Sequence, residues 1–337
     1  MFLNVLKGIM AKITKITCKI CGGCSKLFFV DLFDDRYGAP GKYSIYRCTN
    51  CGFGQTQPRL KEDEISGFYT GYYPLASVTP ASVKSQAKIL PPWLRRLSGV
   101  NNIAHYYVWP GAKVLDIGSA SGVSLLEIEK LGSKAYGVEP DSNARQLAQK
   151  LNLAVFIGQI SENPFPKEKF GIVTATQVIE HIPNPKQFLL DIEKKLSSDG
   201  VIILSFPNLD ALSRKLFGRR WLHWHVPYHQ NFFTRQAIFE SAESTGLKIL
   251  KLKTITPNPW SIMQIQMLIK RTTEGEMHPL WAAQHNKNQK KLSKIAGLFN
   301  FLASYCLTLF LILPNRLIDA FGQGESFIVW LKREGND

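Results

Sequence analysis

Apolar residues gather in short runs along the middle of the chain, and the run around residue 115 is the most telling. Val114-Leu115-Asp116-Ile117 is β-branched and aliphatic, which predicts a buried strand. Gly118-Ser119-Ala120-Ser121-Gly122 then interrupts it with small residues. Val123-Ser124-Leu125-Leu126-Glu127-Ile128-Glu129-Lys130 follows with the pattern of a helix. Lys134-Ala135-Tyr136-Gly137-Val138-Glu139-Pro140 reads as a second strand that ends in an acid. The stretch 74–100 carries prolines at 74, 80, 91 and 92 and reads as a linker. From Ile295 to Asn315 no residue is charged, a length that could span a bilayer.

A strand that turns tightly into a helix presents free N–H groups and a positive dipole end to a ligand. Small residues at the turn let the backbone approach that ligand closely. An acid about 20 residues after the glycines can accept both hydroxyls of a ribose. The pattern therefore points to a nucleotide-type cofactor at the carboxyl end of a parallel sheet. Asp116, placed before the first glycine, narrows the choice.

In Asp116-x-Gly118-x-Ala120-x-Gly122 the chain resembles the class I S-adenosylmethionine (SAM)-dependent methyltransferases, with alanine where the family motif has its middle glycine. Later landmarks fall in the family's order. Phe170 to Pro183 resembles the fourth strand with its Glu-His-x-Pro exit, and Gly200 to Asn208 the fifth. Leu247 to Thr254 suits the sixth, and Ser326 to Lys332 the seventh. The resemblance covers roughly residues 100–335. It implies an α/β fold: a Rossmann-like, seven-stranded, doubly wound sheet, with a C-terminal apolar helical insertion (about 280–320) before the last strand. It also implies that Gly118, Ser119, Ala120 and Gly122 border the amino-acid half of SAM, while Asp116 holds its ammonium. Glu139 is expected on the ribose and Gln159 near the adenine amine. Gln177 and Glu180 are expected at the lip after the fourth strand.

The N-terminal region carries a separate signal. Cys18-Lys-Ile-Cys21 and Cys48-Thr-Asn-Cys51 are two C-x2-C pairs with 26 residues between them. Two such knuckles donate four thiolates to one tetrahedral structural zinc, leaving no open position for catalysis. Cys24 creates an alternative pair, Cys21-Gly-Gly-Cys24. Residues 1–17 contain no signal-peptide core, because Lys7, Lys12 and Lys15 interrupt their apolar positions, so disulfides are not expected. Cys306, in the apolar stretch, is expected to be buried. The organisation predicted is a basic segment with zinc ribbon over 1–60, a linker over 61–100 and a methyltransferase domain over 101–337.

The net charge of +15 is unevenly spread. Residues 1–60 hold nine basic against three acidic residues, 61–208 fifteen against fourteen, and 209–337 seventeen against nine. Basic flanks around a neutral centre favour an anionic partner, such as a membrane surface, a phosphorylated substrate or nucleic acid. A true span at 295–315 would strand the seventh strand on the wrong side of the membrane. That helix is therefore expected to pack on the domain, on a partner copy or on an anionic membrane surface, helped by Lys287, Lys290, Lys291 and Lys294. The expected location is cytoplasmic, with peripheral contact at the inner membrane face as an option.

Acceptor chemistry is less determined. Pro227-Tyr228-His229-x-x-Phe232-Phe233-Thr234 resembles the histidine-containing loop of zinc-ribbon sugar C-methyltransferases and related small-molecule enzymes. His229 is the first candidate base or substrate contact, followed by His181 and Glu180. His223, His225 and His229 could hold a metal, but no carboxylate lies near them in sequence. The reading is methyl transfer to oxygen or carbon of a small-molecule, sugar or lipid-linked substrate. One rival is an RNA methyltransferase, against which Gln177-Val-Ile-Glu180 stands in place of an Asn/Asp-Pro-Pro-aromatic segment. The other is a non-catalytic SAM-binding interaction protein.

Overall fold

The structure is a computed structural model that describes residues 16–72, 78–285 and 294–335. The basic segment before residue 16, Pro74, and Lys287, Lys290 and Lys291 lie outside the described residues. Four short strands, β1 (Ile16–Thr17), β2 (Cys24–Leu32), β3 (Tyr43–Cys48) and β4 (Gly54–Gln57), form an antiparallel ribbon. A larger sheet begins with β5 (Lys113–Ile117), β6 (Lys134–Glu139), β7 (Val155–Ile157), β8 (Phe170–Thr176) and β9 (Leu196–Pro207). The chain then adds β10 (Asn231–Phe232), β11 (Leu247–Ile255) and β12 (Ser326–Arg333).

The large sheet has seven strands in the order β11-β12-β9-β8-β5-β6-β7. The pairs among β5 to β9 are parallel, while β12 runs antiparallel to both β9 and β11. The reversal of direction on either side of β5 makes it the switch point, where ligands bind beyond the strand ends. Its buried run, Val114, Leu115, Asp116 and Ile117, is what a central parallel strand covered on both faces requires.

The ribbon is not an appendage on a tether. β10, which follows the large sheet's β9, pairs with β4 in the register Asn231↔Gln55 and gives the ribbon its fifth strand. Cys18, Ile20, Cys48, Cys51 and Phe53 share one hydrophobic cluster with Phe206, Phe233 and Phe327 of the larger unit. The phenyl rings of Phe53 and Phe233 meet edge to face at 5.1 Å. The region 61–100 is also more than a connector. It forms helices at Glu62–Tyr72, Pro80–Gln86 and Pro92–Ser98, the last two opened by proline at their first positions, and Val83 is fully buried.

The uncharged stretch lies in a helix, Lys294–Ala320, inserted before β12 with Pro314 inside it. Asn315 ties it to the helix Asn258–Ile269, with Nδ2 donating to Asn258 Oδ1 at 2.9 Å. Its outer face is apolar and open to solvent at Leu309, Phe310, Leu313 and Leu317. Cys306 is exposed, contrary to the expectation of a buried thiol, because it falls on this uncovered side. Among the described residues, no helix is long and apolar enough to cross a membrane.

Candidate functional site

The strand β5 delivers Asp116 to the sheet's carboxyl edge, where it is buried and accepts a 2.6 Å hydrogen bond from Thr174 Oγ1. Burial pushes its carboxyl up, opposed by His105 and by hydrogen bonds from Ser124 and Thr174. The turn that follows needs left-handed backbone at Gly118 (φ 75°), Ala120 (φ 46°) and Gly122 (φ 87°). A Cβ at Gly118 would stand 2.6 Å from Val178 Cγ2, and one at Gly122 2.6 Å from Leu153 Cδ1. Both glycines are thus fixed by dihedral, and Gly118 also by the space that the branched Val178 side chain takes.

Glu139 ends β6 beside this turn. Its Oε2 accepts from Ala120 N at 2.8 Å and its Oε1 from Asp141 N at 2.9 Å. Burial raises its pKa, and those two backbone bonds hold it back. Each oxygen keeps a second lone pair, so the carboxylate can still receive two hydroxyls. Ser119 Oγ is buried without a hydrogen-bond partner, as expected of a group that awaits a ligand. The turn and Glu139 therefore fit an adenosyl-type cofactor. Gln159 opens the turn Ile160–Glu162, where it forms a capping box with Glu162.

A second cluster forms where the loop after β8 meets the segment between β9 and β10. Gln177 adopts φ 55° and donates its N–H to Ser205 O at 2.7 Å, turning the chain across the strand ends. Three residues on, Glu180 is 1% exposed, and neither carboxylate oxygen receives a hydrogen bond. Burial alone pushes it up to about 8. Its backbone carbonyl anchors the opposite segment, accepting from Gln230 N at 2.7 Å and Asn231 N at 3.0 Å. His181 Nδ1 donates to Tyr228 O at 3.0 Å, and His229 Nδ1 to His223 O at 2.8 Å. Burial lowers His181 to about 4 and pulls His229 well below its ordinary value, so both imidazoles are neutral.

The histidines are not equivalent. His181 and His229 rings meet at 4.7 Å, and His225, at φ 37°, stacks on Tyr228. His223 faces away, with Nε2 3.4 Å from Glu325. His223, His225 and His229 do not form a ligating group, as the missing carboxylate suggested, whereas Glu180, His181 and His229 each bring one ligating atom within 4.8 Å of the others. The carboxylate missing from the local sequence comes from a loop some fifty residues earlier.

Sequence reasoning missed three contributors from the ribbon side. Tyr37 packs edge-on against His225 at 5.5 Å and Tyr228 at 5.6 Å. Arg36 donates to Leu222 O and lies over the Trp281 ring. Arg59 donates to Gln230 O at 3.2 Å and to Pro183 O and Asn231 Oδ1, each at 2.7 Å. Asp34 shapes the loop that carries Arg36 and Tyr37 by accepting from the backbone of Arg36, Tyr37 and Ala39. No local pattern announces these residues, since their partners lie more than 120 positions away.

The four cysteines of the ribbon converge, with Cys18 Sγ 3.6 Å from Cys51 Sγ and Cys21 Sγ 3.5 Å from Cys48 Sγ. Disulfide sulfurs would be about 2 Å apart, whereas thiolates on one zinc, at bonds of about 2.3 Å, lie roughly 3.8 Å apart. Ile20 N and Asn50 N point at Cys18 and Cys48 sulfur at 3.4 Å, as in a metal knuckle. Cys24 lies outside the cluster, its thiol turned to Ser25 O. The donor set fits a tetrahedral zinc.

Residues 90–252 match the model of a family described as a methyltransferase domain. A ubiquinone biosynthesis O-methyltransferase of Glaesserella parasuis serovar 5 is 33% identical over 112 residues, covering 30% of this chain and 48% of that protein. One from Rhodopseudomonas palustris is 26% identical over 160 residues, 44% of this chain and 63% of its own length. This chain thus spans about half the length of the curated relatives it matches. A crystal structure of coclaurine N-methyltransferase bound to N-methylheliamine and SAH has 13% identity and a TM-score of 0.48, covering 82% of this chain and 84% of that one. Over residues 90–252 the chain is thus similar to the methyltransferase-domain family and to the ubiquinone biosynthesis O-methyltransferases.

Proposed function

We propose that the protein transfers a methyl group from SAM to an oxygen or carbon of a small organic acceptor. The observation that carries this reading is the juxtaposition of two sites: Val178, on the loop that bears Glu180 and His181, touches the space above Gly118. The curated relatives' name, O-methyltransferase, favours oxygen over carbon. SAM, when bound, supplies a methyl on a sulfonium, so the protein must add in-line positioning and a proton acceptor.

In this account the backbone from Gly118 to Gly122, with Ser119 and Ala120, borders the amino-acid half of the cofactor. Asp116 holds its ammonium and Glu139 its ribose. Gln177 turns the lip toward the acceptor, and Gln159 stays near the adenine end through its backbone. His229 is the first contact for the acceptor and the nearest base, with His181 and Glu180 beside it. The ribbon's four thiolates, Cys18, Cys21, Cys48 and Cys51, hold a structural zinc. The exposed apolar face of the helix Lys294–Ala320 suits a lipid-linked acceptor or, with the basic flanks of the chain, an anionic membrane surface.

Labelled SAM added with the protein to a cell extract, then separated into lipid, sugar and RNA pools, tests the reading. Label in a small-molecule or lipid pool supports it. Label confined to RNA, or no label at all, refutes it in favour of an RNA enzyme or a binding protein. Vesicles containing anionic lipid should retain the protein at low salt, and equal retention by neutral vesicles would reject the electrostatic part.

A further inference from the structure

Arg59 stands just past the ribbon's strand β4 and reaches across to both loops of the proposed acceptor half. Its Nη1 donates to Gln230 O at 3.2 Å, and its Nη2 to Pro183 O and Asn231 Oδ1, each at 2.7 Å. Gln230 and Asn231 directly follow His229, while Pro183 comes shortly after His181. A guanidinium presents its donors in a rigid plane, so one side chain fixes these acceptors relative to one another.

Neighbouring bonds extend the clamp to the histidines themselves. Asn231 is buried, and its Nδ2 donates to Ile179 O at 2.9 Å and Ile182 O at 2.6 Å. The carboxamide that Arg59 grips therefore brackets Glu180 and His181. On the other side Thr56, inside β4, donates Oγ1 to His229 O at 2.6 Å and its N–H to Gln230 O at 3.2 Å. Arg59 itself has no acid to balance it: burial lowers its pKa to about 10, and no carboxylate opposes that shift. Setting a partly desolvated cation against carbonyls alone is costly, and an apolar side chain would fill the same space more cheaply. What the apolar side chain could not do is hold several carbonyls of two loops at fixed positions.

We infer that Arg59 is a positioning residue of the acceptor half: it ties the loop of His181 and the segment of His229 to the ribbon, and so sets how the two imidazoles face each other. Its effect runs through those rings, which meet at 4.7 Å and whose Nδ1 atoms are committed to Tyr228 O and His223 O. All of its hydrogen bonds go to the acceptor half, so the cofactor turn is not its target. A misplacement of about 1 Å at a reacting group costs up to about a hundredfold in rate. That consequence for turnover rests on the proposed methyl transfer, but the placement of the rings does not.

Nitrogen-15 NMR of the full-length protein labelled at histidine reads that placement in the wild type, Arg59→Ala and Arg59→Lys. Lysine keeps the charge but cannot hold several carbonyls in one plane. We expect the Nδ1–H signals of His181 and His229 to move in both variants, further in Arg59→Ala, while His105, bonded to Glu127 beneath the cofactor turn, keeps its signal. Calorimetry should give an unchanged SAM dissociation constant, and label transfer into extract at saturating SAM should fall about ten- to a hundredfold in Arg59→Ala. A lower melting temperature with unmoved His181 and His229 signals would make Arg59 a merely structural residue and overturn the inference. Loss of SAM binding in step with turnover would overturn it as well. Should Arg59→Ala not fold, the signals of Arg59→Lys decide. Failure of the proposed methyl transfer would show separately, as no label from the wild type, with the histidine signals still readable.

Discussion

The two halves of the proposed site are built on opposite principles. The cofactor half comes from one continuous stretch, Asp116 to Glu139, in which a strand, a turn, a helix and a second strand follow one another. The acceptor half is assembled from the ribbon loop around Tyr37, the loop from Gln177 to Pro183, and the segment from Trp221 to Thr234. The first is held by local backbone geometry, and the second by contacts between distant segments. A site built locally keeps its chemistry when the rest of the chain changes, whereas a site built from distant loops can change acceptor without disturbing the cofactor.

The largest expected effect exploits that separation. His229→Ala should cut methyl transfer by about 10²–10⁴-fold, the usual worth of a positioned acid–base group. The SAM dissociation constant should stay within about twofold. Steady-state rates and calorimetry on the same preparation check both, and a matching loss of SAM binding would show that the two halves are one.

Phe53→Ala tests whether the ribbon is a separable module. Phe53 is fully buried and packs on Phe233, inside the cluster shared with the large sheet. Truncating it should cost about 3–5 kcal/mol, seen as one earlier cooperative transition in a thermal melt. Loss of the ribbon alone, with the remaining transition unmoved, would contradict a shared core.

A smaller effect concerns pH. Burial raises the Glu139 pKa above that of an ordinary glutamate, and only its carboxylate form can accept both ribose hydroxyls. SAM affinity should therefore fall on acidification at a higher pH than an ordinary glutamate would dictate. The sign for folding is opposite: with a raised folded value, protonation relieves the free protein as it weakens the cofactor site. Glu139→Gln should flatten the acid side of the affinity profile, which calorimetry at several pH values would register.

The smallest effect lies at Ala120. A residue with a Cβ at φ 46° carries strain of about 1–2 kcal/mol. Part of that gain is offset by the freer unfolded chain of a glycine variant. Ala120→Gly should raise stability by no more than about 1 kcal/mol in denaturant unfolding. A destabilisation would mean that the methyl group itself packs usefully.

What could be read from the sequence follows the same division. Val114 to Ile117, Lys134 to Glu139 and the later strands fall where their apolar runs predict, and four cysteines meet as their spacing predicts. Those signals span a few residues each. Arg36, Tyr37 and Arg59 carry no such signal, because β10 must first join the ribbon to β4 before they face the histidines. Cys306 misled because an uncharged stretch resembles a core helix whether or not anything covers it.

The division between the halves reduces to one measurement, calorimetric titration of SAM into the wild-type protein, Asp116→Ala and His229→Ala. The account predicts equal affinity in the wild type and His229→Ala, and binding too weak to detect in Asp116→Ala. Undiminished binding in Asp116→Ala would contradict it.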